Sequence, residues 1–95
     1  MKNALALALR EAGLVVQQQA CLTVRFRNQV VGEFRIDLLV AERLIVELKA
    51  VSQLAPAHEA QLVNYLKASG LHVGLLLNFG PRPHFRRKVF WPTQL

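Results

Sequence analysis

Asp37, Glu47 and Lys49 stand in two apolar runs, Arg35-Ile36-Asp37-Leu38-Leu39-Val40 and Leu44-Ile45-Val46-Glu47-Leu48-Lys49, with only Ala41, Glu42 and Arg43 between them. Two such runs joined by three residues read as a tight antiparallel hairpin. If the pairing is symmetric about Glu42, Asp37 faces Glu47 and Arg35 faces Lys49. Side chains alternate between the faces of a strand, so these four charges would form a two-by-two block on one side. Directly opposed residues have Cβ atoms about 4.5–5.5 Å apart, and like charges so placed destabilise a sheet. Their repulsion raises the pKa of at least one carboxyl. A Mg²⁺ or Mn²⁺ ion between them would resolve the conflict, since hard cations take carboxylate oxygens at roughly 2.0–2.2 Å. The backbone carbonyl of Leu48 is a candidate third oxygen. Lys49, two residues beyond Glu47 on the same face, would lie beside any anion the ion holds. The plainer reading is a solvated network in which Arg35, Asp37, Glu47 and Lys49 neutralise one another, worth little to stability. Spacing supports both equally, and a slip of one residue would send the carboxylates to opposite faces.

The elements that must position this hairpin follow from propensity and punctuation. Asn3 can cap a helix of Ala, Leu, Arg and Glu over residues 4–12, with Gly13 as its left-handed stop. Residues 21–27 alternate and are rich in β-formers, and Asn28-Gln29 offers a turn before Val30 and Val31. Strands are predicted over 33–40 and 44–51. Pro56 fits the first turn of a helix over 57–69 that stops at Gly70. A strand over 72–79 closes at Gly80-Pro81, and a basic strand over 85–91 ends at Pro92. The order is α-β-β-β-α-β, with room for a last β, in one domain spanning residues 1–95.

Composition bounds the class. Of 95 residues, 53% are hydrophobic and 19% charged, which supports a packed core and excludes disorder as the main state. The longest apolar runs, 4–9 and 73–77, fall far short of the roughly 18 residues that a membrane span needs. The apolar start ends at Arg10-Glu11, too soon for an export signal, and the lone Cys21 cannot form an internal disulfide. The expectation is a cytoplasmic protein with no membrane partner. Twelve Lys plus Arg against six Asp plus Glu give a net charge of +6, which suits nucleic acid.

The hairpin string resembles the D-x(n)-E-x-K core of the PD-(D/E)xK nuclease superfamily. More narrowly, with Gln61-Leu62-Val63-Asn64-Tyr65 on the following helix and Leu77-Asn78-Phe79-Gly80 at the end of the next strand, it is similar to the GxxExxY family of small nucleases. The match runs from Ala4 to Val89. What the resemblance implies is a restriction-endonuclease-like αβββαβ core, an α/β fold with a mixed central sheet, and metal-dependent cleavage of phosphodiester bonds. It implies Asp37 and Glu47 as metal ligands and Lys49 as the catalytic lysine. Gln61 would contact the lysine, the water or a phosphate oxygen, with Tyr65 packed beside it. The family's Gly-x-x-Glu-x-x-Tyr segment, whose glutamate would complete the acidic cluster, falls ahead of Met1, because Ala4 to Gly13 resembles the back half of the helix that carries it. The two readings are an upstream start codon or a shortened member with a two-carboxylate site.

Other residues carry weaker signals. His58, Gln61 and Tyr65 share one helical face, with Leu62, Val63 and Leu66 available for burial. The plainer reading there is a solvated face with Tyr65 half buried. His58 is read as a surface residue, and His72 and His84 as bystanders. Arg82, Arg86, Arg87 and Lys88 gather charge near the C-terminus among Phe85, Phe90 and Trp91. Their charges are expected to attract nucleic acid and their rings to fill the core. Arg25 and Arg27 would extend the same surface. The reading is a Mg²⁺- or Mn²⁺-dependent nuclease acting on nucleic acid, with DNA the favoured substrate. Tyr65, Arg86, Arg87 and Lys88 are its nucleic-acid contacts, and homodimerisation is left open. The alternatives are a non-catalytic nucleic-acid-binding or interaction module on a nuclease fold, and a fragment with no function of its own.

Overall fold

In the computed structural model, which describes residues 2–91, the elements run α1 (Lys2–Glu11), β1 (Val16–Phe26), β2 (Gln29–Val40), β3 (Leu44–Lys49), α2 (Pro56–Ser69), β4 (Val73–Asn78) and β5 (His84–Val89). The five strands form one mixed sheet in the order β1-β2-β3-β4-β5. Neighbours are antiparallel except β3 and β4, which run parallel because α2 carries the chain back across the sheet. This is the α/β architecture expected, with β5 as its seventh element. Among the described residues no helix is long and apolar enough to cross a membrane.

Local chemistry sets most boundaries. α2 begins at Pro56, whose missing N–H costs nothing in a first turn, and stops at Gly70, held at φ +77° with its N–H donating to Leu66 O. Its start is closed by His58, whose Nδ1 accepts the Ala55 N–H at 3.0 Å. α1 ends at Gly13, at φ +91°, as expected. Asn3 is not its cap. It lies inside the helix, and its Oδ1 accepts Gln18 Nε2 at 2.9 Å, tying α1 to β1. The β1–β2 turn is Arg27-Asn28, at φ 51° and 68°, one residue earlier than Asn28-Gln29. Two consecutive left-handed residues match the right-handed twist of the flanking strands.

Helices cover both faces of the sheet. α2 lies on a cluster that includes Ile36, Ile45, Leu62, Leu66 and Leu76. α1 lies on a second, with Ala6, Val16, Leu38, Val40 and Val46. Alternation is regular on β3, where Ile45 faces α2 while Leu44 and Val46 face α1. It fails once on β2. Ile36 faces α2 but Leu38, two residues on, faces α1. β1 fails at the same level, because Ala20 faces α2 and Val16 faces α1. The irregular residue on β1 is Gln19, at φ 52°, and the ladder skips Gln19 and Asp37 between Gln18↔Leu38 and Ala20↔Ile36. The ribbon thus changes phase by one residue at Asp37.

Candidate active site

The pairing of β2 with β3 is symmetric about Glu42, from Val40↔Leu44 to Leu38↔Val46, and stops there. Beyond it side chains replace the ladder. The Asp37 N–H donates to Glu47 Oε2 at 3.1 Å, and the Leu48 N–H donates to Asp37 Oδ2 at 2.8 Å. Each carboxylate is held by the backbone of the other's strand. Asp37 Oδ1 and Glu47 Oε1 have no backbone donor among the described residues.

Glu47 is 8% exposed. Burial, and then the hydrogen bond and charge of Asp37, push its carboxyl up from 4.5 to about 7; the Asp37 N–H and the charge of Lys49 offset this only in part. Lys49 is half-buried two residues along the same strand. It forms no ion pair with either carboxylate, and the ion pair present among the described residues is Lys88 with Glu59, at 2.8 Å. The self-neutralised block therefore does not form. Arg35 is exposed, and the phase change puts it on the opposite face from Glu47, which corrects the expected two-by-two arrangement.

A residue with no assigned role holds the site's rim. Asn78, 2% exposed at the end of β4, accepts the Val51 N–H at 2.9 Å and donates to the Val51 carbonyl at 2.8 Å. The Phe79 N–H donates to Lys49 O at 2.7 Å. β3 therefore ends at Lys49 rather than Val51, because the Val51 backbone bonds to a side chain instead of a strand. Gly80 closes the turn: a Cβ there would run into the Val51 carbonyl. The signal for Asn78 was a lone amide at the end of an apolar strand.

The supporting residues divide. Tyr65 is 9% exposed, with its ring 5.2 Å from Phe34, and its hydroxyl pKa is raised by burial and then by Glu47 and Asp37. It is a core residue behind the carboxylates rather than a surface for nucleic acid, which corrects that expectation. Gln61 is exposed one turn earlier and makes no hydrogen bond to Asp37, Glu47 or Lys49. Leu48 contributes its N–H to Asp37. Arg86 and Arg87 are exposed on β5, whereas Lys88 is tied to Glu59 on α2 and is not a free cation. Phe90 packs in the α2 cluster as expected. Phe85 and Trp91, at 62% and 66% exposed, do not fill the core; Trp91 instead stacks on His72, ring centroids 3.7 Å apart. His72 and His84 bond backbone carbonyls, of Phe90 and Arg82. Among the described residues no three His, Cys, Asp or Glu side chains gather as a metal cluster.

Comparison with known proteins follows the geometry. A model of the PD-(D/E)XK nuclease superfamily matches residues 1–89. The chain's fold is similar to that of the protein SSO0001 (17% identity, TM-score 0.66), over 92% of this chain and 50% of that one. It is similar to an alkaline exonuclease from Laribacter hongkongensis (13% identity, TM-score 0.64), over 92% of this chain and 53% of that one. It is also similar to Hjc, a Holliday junction resolvase from Archaeoglobus fulgidus (19% identity, TM-score 0.53), over 93% of this chain and 68% of that one. This chain spans about half the length of the first two. No curated protein sequence matches it.

Proposed function

Because this chain belongs to the PD-(D/E)XK nuclease superfamily, we propose that it hydrolyses phosphodiester bonds of nucleic acid, DNA in the first instance, using Mg²⁺ or Mn²⁺ held by Asp37 and Glu47. The observation that carries this reading is the reciprocal clamp. Two carboxylates are brought together across β2 and β3, one of them buried, with no cationic side chain among the described residues within ion-pair distance of either. A structure built only for stability has no use for that arrangement. The pattern Gln61 to Tyr65 with Asn78-Phe79 supports placing the chain more narrowly in the GxxExxY group, as one domain acting in the cytoplasm, where a free, exposed Cys21 is at home.

The residues fit a hard divalent ion. Mg²⁺ is commonly held by one or two carboxylates plus waters and substrate phosphate, so two acids suffice. Asp37 Oδ1 and Glu47 Oε1, which have no backbone donor among the described residues, are the proposed ligand oxygens, and the Leu48 carbonyl is the proposed third. A bound ion would supply Lewis acidity toward the scissile phosphate and toward water. The chain's own groups do the rest. The Asp37 N–H is aimed at Glu47 Oε2, and burial holds the Glu47 proton up to about pH 7, so that proton must leave before the carboxyl can serve as an anionic ligand. The Lys49 ammonium, free of any salt bridge, orients the attacking water or stabilises the extra negative charge on phosphorus in the transition state. Gln61, exposed on α2, is proposed to contact a phosphate oxygen once substrate is present, and Arg86 and Arg87 to draw in the strand.

Purified chain should cleave DNA or RNA with Mg²⁺ or Mn²⁺ and stop with chelator, and Lys49→Met should lower the rate by about 10²-fold or more. Mn²⁺ at 100 times its Kd should stabilise the parent by about 2.7 kcal/mol in thermal unfolding at pH 8 but leave Asp37→Asn unchanged. Equal cleavage by parent and Lys49→Met would identify a contaminant and leave a binding module.

A further inference from the structure

A pocket of about 580 Å³ opens at the end of the sheet where the parallel strands β3 and β4 both finish. Lys49 pairs with Asn78 in the last rung of that pair. Ser52 and Pro81, three residues further along each chain, begin the pocket's walls. Three residues span at most about 11 Å of backbone, so the pocket's walls begin within that distance of the last β3–β4 rung.

The charged side chains that line the pocket are Arg82 and Arg86, with Ser52, Gln53 and His84 adding polar groups. Among the described residues no carboxylate lines it, and neither arginine is in an ion pair. Arg86 Nη1 donates to the Phe85 carbonyl at 3.0 Å, which leaves most of its donors free. The walls are also stiff. Pro81 and Pro83 flank Arg82 and restrict the backbone on either side of it. The Gly80 N–H is bonded to Asn78 Oδ1 at 3.2 Å. The His84 ring is held against the Arg82 carbonyl at 2.6 Å; a carbonyl only accepts, so Nδ1 is the donor. A stiff concave site with two unpaired guanidinium forks is suited to a phosphate, because the fork matches two oxygens at once and little order remains to be imposed.

We propose that this pocket binds a phosphate group of the nucleic-acid strand whose scissile phosphate lies at Asp37, Glu47 and Lys49, with Arg82 and Arg86 as its donors. The inference rests on the nuclease reading above. The phosphate is either an internal phosphodiester or a terminal phosphomonoester, and one experiment separates the two.

With chelator present to prevent cleavage, binding of fluorescent duplexes bearing a 5′-phosphate or a 5′-hydroxyl is measured by anisotropy across a salt series. The proteins are the parent, the double variant Arg82→Ala with Arg86→Ala, its Lys,Lys counterpart, and Arg43→Ala. Arg43 is an exposed arginine at the opposite end of β3, so it controls for loss of charge alone. The alanine double variant should bind about tenfold more weakly, with a log–log salt slope lower by about 1. The lysine pair should fall in between, and Arg43→Ala should stay within twofold. If only the 5′-phosphate duplex loses affinity, the ligand is the terminal phosphate; if both lose it equally, the ligand is internal. An alanine double variant within twofold of the parent, with an unchanged slope, overturns the pocket and leaves the nuclease reading standing. A parent that binds neither duplex overturns both.

Discussion

Replacing Glu47 with glutamine should give a protein that cleaves nucleic acid far more slowly and yet, without metal, outlasts its parent at pH 8. In the folded chain the Glu47 carboxyl titrates near 7 rather than 4.5. A folded pKa raised above the unfolded one means that the native state binds the proton more tightly. Its stabilising contribution is complete below pH 4.5 and lost as pH rises through about 7. The loss is about 3 kcal/mol by pH 8, on the order of 10–20 °C in Tm for a domain of this size. Glutamine is neutral at every pH and still accepts the Asp37 N–H, so it removes this dependence. It also removes one of the two proposed anionic ligands, which should lower the rate by on the order of 10²- to 10³-fold. Thermal unfolding of both proteins from pH 5 to 9 in chelator, with cleavage assays in Mn²⁺, tests both halves. Parallel Tm curves would show that Glu47 is not the group that titrates, and undiminished cleavage would place the reacting centre elsewhere.

Asn78→Ala should be the most damaging single truncation for stability. The amide accepts from Val51 and Gly80 and donates to the Val51 carbonyl, all at 2.8–3.2 Å, from a side chain only 2% exposed. Alanine leaves two N–H groups and a carbonyl without partners, at about 1–3 kcal/mol each, as well as a small void. A loss of about 3–5 kcal/mol is a large part of what a domain of this size has. Urea unfolding with an unchanged m-value would measure it, and a loss below about 1 kcal/mol would mean water takes over the amide's role.

The register about Glu42 was legible because a three-residue loop leaves little freedom and β3 alternates cleanly between two cores. α2 was legible from Pro56 and Gly70. The meeting of Asp37 with Glu47 was read correctly, but for an incomplete reason. Regular pairing was expected to oppose them, whereas the ladder stops at Leu38, side-chain-to-backbone bonds hold the two acids together, and the phase change takes Arg35 away. Ile36, Leu38 and Val40 look like one continuous apolar face, and a sheet covered on both sides offers apolar residues either way, so the pattern cannot reveal which half is inverted. Burial of Glu47, the largest cause of its raised pKa, depends on α2 docking, which no local string encodes. The pairing of Lys88 with Glu59 likewise joins residues far apart in sequence that only the fold makes neighbours.

The mismatch at Gln19 and Asp37 also says what the smoothest version of this ribbon would be. Excise those two residues together and Ile36 meets Leu38, and Gln18 meets Ala20, as ordinary strand neighbours; every apolar side chain then keeps the core it already occupies. The shorter chain would have the more regular ribbon and one acid fewer. In this molecule Asp37, the proposed cation ligand, stands at an imperfection of the sheet rather than on its regular ladder.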